Sequence, residues 1–147
     1  MDSSDIDAAI VAALRADTAL AALMPDGVWF ETANGSIATG KNVTRFVLVA
    51  LFDSNDVAEF QRRAYEDALY LVQAVALAAP GAPAGDVKAA AARIEAVLED
   101  QPLTVAGYTW MTAHRERRHR VQEVDPADPA IKWNHRGAFY RVLMSGG

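Results

Sequence analysis

The sequence predicts an α+β fold: a mainly antiparallel sheet of about four strands with two helices packed on one face. Three observations predict it. Ile6, Ile10, Ala13 and Leu14 recur at helical spacing near the start. Two long segments, Val43 to Phe52 and Ala64 to Leu77, are rich in β-branched and aromatic residues. A second helical stripe, Val87, Ala90, Ala91, Ile94, Val97 and Leu98, follows them.

Ser4 is a candidate N-cap for the first helix, with Asp7 three residues on. Asp17-Thr18 breaks the stripe and caps a short second helix through Leu20, Leu23 and Met24, which Pro25 and the Asp26-Gly27 turn end. Val28-Trp29-Phe30 reads as a short strand, and residues 31–42 as a polar, Gly-containing loop. After the strand Val43–Phe52, Asp53-Ser54-Asn55-Asp56 reads as a turn. Val57 to Arg63 fits no single pattern. Ala64–Leu77 reads as a strand, although Leu69, Val72 and Leu77 could also share a helix face. Breakers fill 80–85, and Asp86 caps the Ala-rich helix that Pro102 ends. Glu99 and Asp100 close that helix, where the macrodipole disfavours acids. Leu103 to Ala113 reads as a strand running into the charged stretch 114–120, and Ala138 to Met144 as a closing strand after the loop Asp125–Pro129.

Composition bounds the function. With 147 residues, one domain over 1–147 is expected. A chain of this length buries roughly 68–70% of its extended surface. There is no cysteine, which excludes a disulfide scaffold, a thiolate metal site and a cysteine nucleophile. The net charge is −5, so the overall field does not favour nucleic acid. No apolar run is long enough to span a membrane, and Met1–Asp7 holds three aspartates and no base, unlike a secretory leader. The expectation is a soluble chain with no membrane partner.

The candidate motifs are few. Gly35 to Asn42 nearly matches a phosphate loop, but Asn42 stands where a hydroxyl is needed and a strand follows where a helix should open. His114, His119 and His135 have no metal-ligand spacing. Glu66-Asp67 and Glu99-Asp100 read as surface pairs, and no nucleophile elbow is present. Trp29, Trp110 and Trp133 fit either core or interface. The chain is therefore expected to have no catalytic residue, cofactor or metal. Two surfaces remain as candidates. The predicted strands are apolar on both faces: Val47, Val49 and Leu51 back the face of Phe46, Leu48, Ala50 and Phe52, while Leu69, Leu71 and Val75 back that of Tyr70, Val72 and Ala74. Two helices cover one face only, so either loops 31–42 and 121–137 or another subunit must cover the second. The other surface is the basic run His114–Arg120, with Arg115, Arg117, Arg118 and Arg120. In simple alternation, Arg115, Arg117 and His119 oppose His114, Glu116, Arg118 and Arg120. The run is either a charged edge that discourages strand pairing or a contact with phosphate or an acidic partner: a protein surface, or nucleic acid, against which the acidic total argues.

Several segments together resemble a known family. They are the 13–23 stretch ALRADTALAAL before a short strand, RFVLVALFD at 45–53, YEDALYLVQAV at 65–75, the Ala-rich helix with Arg93-Ile94-Glu95, LTVAGYT at 103–109 and HRGAFYRV at 135–142. In this order they resemble the tail terminator (tail completion) proteins of long-tailed bacteriophages and related gene-transfer particles. The resemblance implies a structural virion protein, not an enzyme. It implies a homo-oligomeric ring, usually a hexamer, that caps the head-proximal end of the tail tube and ends tube polymerisation. Its partners would be the tail tube protein and the head-side connector or stopper, with DNA passing through the lumen without specific binding. Its location would be the virion, at the head–tail junction, and the host cytoplasm during assembly. The other readings are a head–tail connector or stopper, a small-molecule-binding or enzymatic α+β domain, and a nucleic-acid-binding module. The basic run is not something the resemblance implies.

Overall fold

A computed structural model of the chain describes residues 4–31, 44–59, 62–78, 85–105, 107–124 and 128–146. The element order is α1 (Ser4–Ala16), α2 (Thr18–Leu23), β1 (Val28–Phe30), β2 (Arg45–Glu59), β3 (Arg62–Leu77), α3 (Gly85–Leu98), β4 (Tyr108–Val124) and β5 (Lys132–Gly146). The strands form one five-stranded sheet in the order β1-β2-β3-β5-β4. Only the β1–β2 pair is parallel; the others are antiparallel. The expected α+β class holds, with five strands.

The helical stripes form as their spacing predicts. Ile6, Ile10 and Leu14 of α1, and Val87, Ala90, Ile94 and Leu98 of α3, are all buried. They pack on Val47 and Val49 of β2, Tyr70, Val72 and Ala74 of β3, and Ala138, Tyr140 and Val142 of β5. Asp17 is the N-cap of α2, as expected: its Oδ2 accepts the Leu20 N–H at 3.0 Å. Its two oxygens also clamp the Arg93 guanidinium, at 2.6 and 3.1 Å, which ties α2 to α3. α1 is tied to the sheet by Tyr70, whose hydroxyl donates to the Asp7 carboxylate.

Several strand boundaries differ from expectation. Asp53-Ser54-Asn55-Asp56 is not a turn. These residues continue β2, with Asp53 opposite Leu69 and Asp56 opposite Glu66. Backbone pairing with β3 overrides their turn propensity, and a bulge between Leu51 and Asp53 absorbs the extra residue. Residues 103–105 are not strand. Leu103 and Val105 pack against the core, and β4 begins at Tyr108. β4 then runs to Val124, so the basic stretch lies within a strand instead of at its end. β5 likewise begins at Lys132, because Trp133 to Gly137 pair with β3 from Leu77 to Gln73. The loop motif Gly35–Asn42, the breakers at 80–84 and residues 125–127 of the Asp125–Pro129 loop lie outside the described residues.

Candidate functional site

The ladder registers decide which side chains share a face. Val47, Val49 and Leu51 stand opposite Ala74, Val72 and Tyr70, and Phe46 and Ala50 opposite Val75 and Leu71. Val47, Val49 and Leu51 therefore lie on the helix side, and Leu69, Leu71 and Val75 on the other. The six do not form one surface. Val47 and Val49 are fully buried beneath this chain's own helices, and Leu51 packs against that core. The apolar face that carries no described helix is the opposite one, which Phe46, Leu48, Ala50, Leu69, Leu71, Val75 and Phe139 share. Phe52 and Leu77 stand out from it, 64% and 42% exposed.

Phe139 is the centre of that face. The Phe52 ring meets it edge-on at 5.3 Å, and His119 does so at 5.7 Å. The Arg117 guanidinium sits 4.2 Å above its ring. Burial against these rings, with His135 and Arg117 nearby, holds the His119 imidazole below its ordinary range. Beside this group, Arg141 of β5 bridges three strands. Its Nη1 donates to Asp67 of β3 and its Nε to Glu116 of β4, both at 2.6 Å. The Arg141 hydrogen bond is what holds the Glu116 carboxyl low. Further along, His135 Nδ1 lies 3.2 Å from the buried Gln73 amide, and its Nε2 lies 3.0 Å from Glu123 Oε2 without hydrogen-bond alignment.

Two bulges on one row set this arrangement. Leu51, Tyr70, Tyr140 and Arg115 are neighbours across four strands, and a bulge follows Leu51 in β2 and Arg115 in β4. Bulges re-aim side chains and bend a strand. The β2 bulge frees Phe52 to reach Phe139. The β4 bulge reverses the alternation expected for the basic run. Arg117 and His119 turn to the Phe139 face, while Arg115, Arg118 and Arg120 sit opposite Tyr140, Ala138 and Arg136 on the helix side. Glu99 holds the bulge: its carboxylate accepts the Arg115 backbone N–H. That is why an acid ends α3, a position its dipole disfavours. Arg115 itself is committed to Glu95 of α3 at 2.8 Å. Arg117 is committed to Phe139.

The helix side of β4 thus borders a groove of about 510 Å³ against α3. Lys88, Arg118, Arg120 and Arg136 converge on it, and none has an ion-pair partner among the described residues. Sequence alternation alone missed Arg136 and Lys88, because only the fold brings β5 and α3 beside the basic run. An apolar cleft of about 290 Å³ lies elsewhere, between α1, α2 and β1. Its one charged side chain, Arg15, is spent on the Val28 carbonyl at 2.7 and 3.2 Å. Among the described residues no group of three or more His, Asp or Glu side chains is placed to hold a metal. No helix is long and apolar enough to cross a membrane. The described carboxylate pairs are structural: Asp67 binds Arg141, and Glu99 the bulge.

No protein-family model and no curated protein sequence matches the chain. Among solved structures it is similar to a chain from the virion of a native gene transfer agent particle, at a TM-score of 0.59 and 21% identity. That similarity covers 98% of this chain and 97% of the other. From end to end, this chain has the fold of a component of a gene-transfer-agent virion.

Proposed function

We propose that this protein is a structural virion component of a phage-like particle, and within it a tail terminator. In this reading a single domain assembles into a ring, a hexamer in the family it resembles. The ring caps the head-proximal end of the tail tube, ends its polymerisation and meets the head-side connector. The observation that carries the reading is the end-to-end likeness to a chain of a gene-transfer-agent virion. The order of sequence segments that resembles tail terminators supports the finer role. The Phe139 face supports assembly: Phe52 and Leu77 are exposed on it, and leaving large side chains wet forgoes roughly 1.5–3 kcal/mol each. A subunit contact burying roughly 1,200–2,000 Å² would recover this.

The test is the native mass of the purified protein, followed by electron microscopy of mixtures with tail tubes. A closed ring that decorates one tube end and stops tube growth is the expected result. Phe52→Ser with Leu77→Ser should shift the ring toward monomer. A chain that remains monomeric with tubes present overturns the proposal. A ring that binds the portal side and ignores tubes assigns the chain to the connector or stopper instead.

A further inference from the structure

His119 sits where an added proton finds no counter-charge. Its ring meets Phe139 edge to face at 5.7 Å, and the Arg117 guanidinium lies 4.2 Å above that same Phe139 ring. His135 of β5 acts on it by charge, as Arg117 does. Toward α3, His119 borders the groove that Lys88, Arg118, Arg120 and Arg136 line. The acids of the surrounding elements are spent elsewhere. Glu95 and Glu99 of α3 are held by Arg115. Glu116 of β4 and Asp67 of β3 bind Arg141, and Glu123 lies against His135. β2 brings the uncharged Phe52 ring to this group, while its Asp53 stands opposite Leu69. Among the described residues, His119 has no ion-pair partner.

The same imidazole lies within the apolar face that a neighbouring subunit would cover. Phe52, in edge-on contact with Phe139, is 64% exposed on one side of it. Val121, two residues along an unbroken stretch of β4 and so facing the same way, is 47% exposed on the other. A second copy that covers both apolar residues also covers His119. We propose that His119 is a proton switch on the Phe139 face: neutral, it lets a second copy pack over Phe52, Phe139 and Val121, and protonated, it drives the copies apart. The inference rests on the ring reading above and names how its subunit contact is regulated. Covering an imidazole removes the water that solvates its charged form, and nearby cations oppose that form further. Assembly therefore proceeds with His119 neutral and expels its proton. Such a step is favoured as pH rises and lost as pH falls, by about tenfold per pH unit for each proton released. Burial already holds this imidazole below its ordinary 6.5, so the contact is closed at neutral pH and opens on the acid side.

Native mass and sedimentation between about pH 7.5 and about pH 5 test it, a range in which ordinary Asp and Glu stay charged. Circular dichroism at each pH checks that the chain stays folded. Wild type should assemble at the upper end and dissociate toward the lower, its association constant falling about tenfold or more. His119→Phe should remain assembled across the range. His119→Gln, neutral and polar, gives the same readout should the larger side chain disturb packing. His119→Lys, charged throughout, should weaken assembly at every pH. A wild-type assembly that ignores pH overturns the switch and leaves the ring reading intact, and so does a His119→Phe assembly that still dissociates in acid. If His114→Gln or His135→Gln removes the pH dependence instead, another imidazole carries the proton and the proposal fails. An assembly that survives Phe52→Ser with Leu77→Ser closes through a different face, which also sinks the switch. A wild-type monomer at the upper end of the range, with tail tubes present, overturns the ring reading itself.

Discussion

Asp17 and Arg93 are joined by two hydrogen bonds, Oδ1 to Nη2 at 2.6 Å and Oδ2 to Nε at 3.1 Å. The same carboxylate caps α2 through the Leu20 N–H, so one side chain orders a helix start and docks that helix on α3. The Arg93 hydrogen bonds hold the Asp17 carboxyl below its ordinary 3.8. A depressed carboxylate contributes stability that is full above its unfolded value and lost as pH falls through the folded one.

Asp17→Ala should therefore cost about 1–2 kcal/mol. Most of this comes from the cap, because the Arg93 head is 41% exposed and its pair is discounted for solvent. A drop in melting temperature of about 3–8 °C at pH 7 checks it. The gap between wild type and variant should narrow below pH 3.8, as wild-type Asp17 takes up its proton.

Glu99 supports the β4 bulge from the end of α3. Glu99→Ala removes the acceptor for the Arg115 N–H, and Glu95 remains for the guanidinium. An unsatisfied, part-buried amide costs about 1–3 kcal/mol. Faster hydrogen exchange at Arg115, together with a lower melting temperature, is the expected outcome. Unchanged exchange would show that the bulge stands without Glu99.

Gly137 stands opposite Gln73, and a Cβ there would lie 2.0 Å from the Val72 carbonyl oxygen. The obstacle is backbone, which cannot swing aside. Gly137→Ala should cost about 3 kcal/mol or more, at or beyond the upper end for overpacking. Chemical denaturation measures this. A loss under 1 kcal/mol would mean that β5 shifts freely against β3.

His119 rests on Phe139 beside Arg117, and burial keeps its imidazole neutral below the ordinary 6.5. The unfolded chain then binds more protons than the folded one as pH falls below 6.5. The associated stability is present above 6.5 and declines below it. NMR titration of the His119 ring should give a midpoint below 6.5, and Arg117→Ala should move it upward. A midpoint at or above 6.5 would contradict the packing described.

The local elements were legible in the sequence because their causes are local. The Ile6–Ile10–Leu14 and Val87–Ile94–Leu98 spacings bury one helix face each, and the Asp17 cap is a contact within a single turn. The α+β class followed from those stripes and the two apolar strands. The site was less legible. Alternation places residues on faces only while the register is unbroken, and each bulge shifts it by one residue. Hence Arg117 and Arg118, adjacent in sequence, serve opposite faces in an order simple alternation inverts.

The amphipathic segments, the caps and the overall acidity follow from residue type and near-neighbour spacing. Tertiary pairing extends β2 through Asp53–Asp56, since cross-strand hydrogen bonds to β3 outweigh four turn-forming side chains. It also decided which apolar face the helices cover. And it gathered Arg118, Arg120, Arg136 and Lys88 from two strands and a helix into one groove. Such long-range pairings depend on ladder register and helix docking, and these are set by the whole core at once.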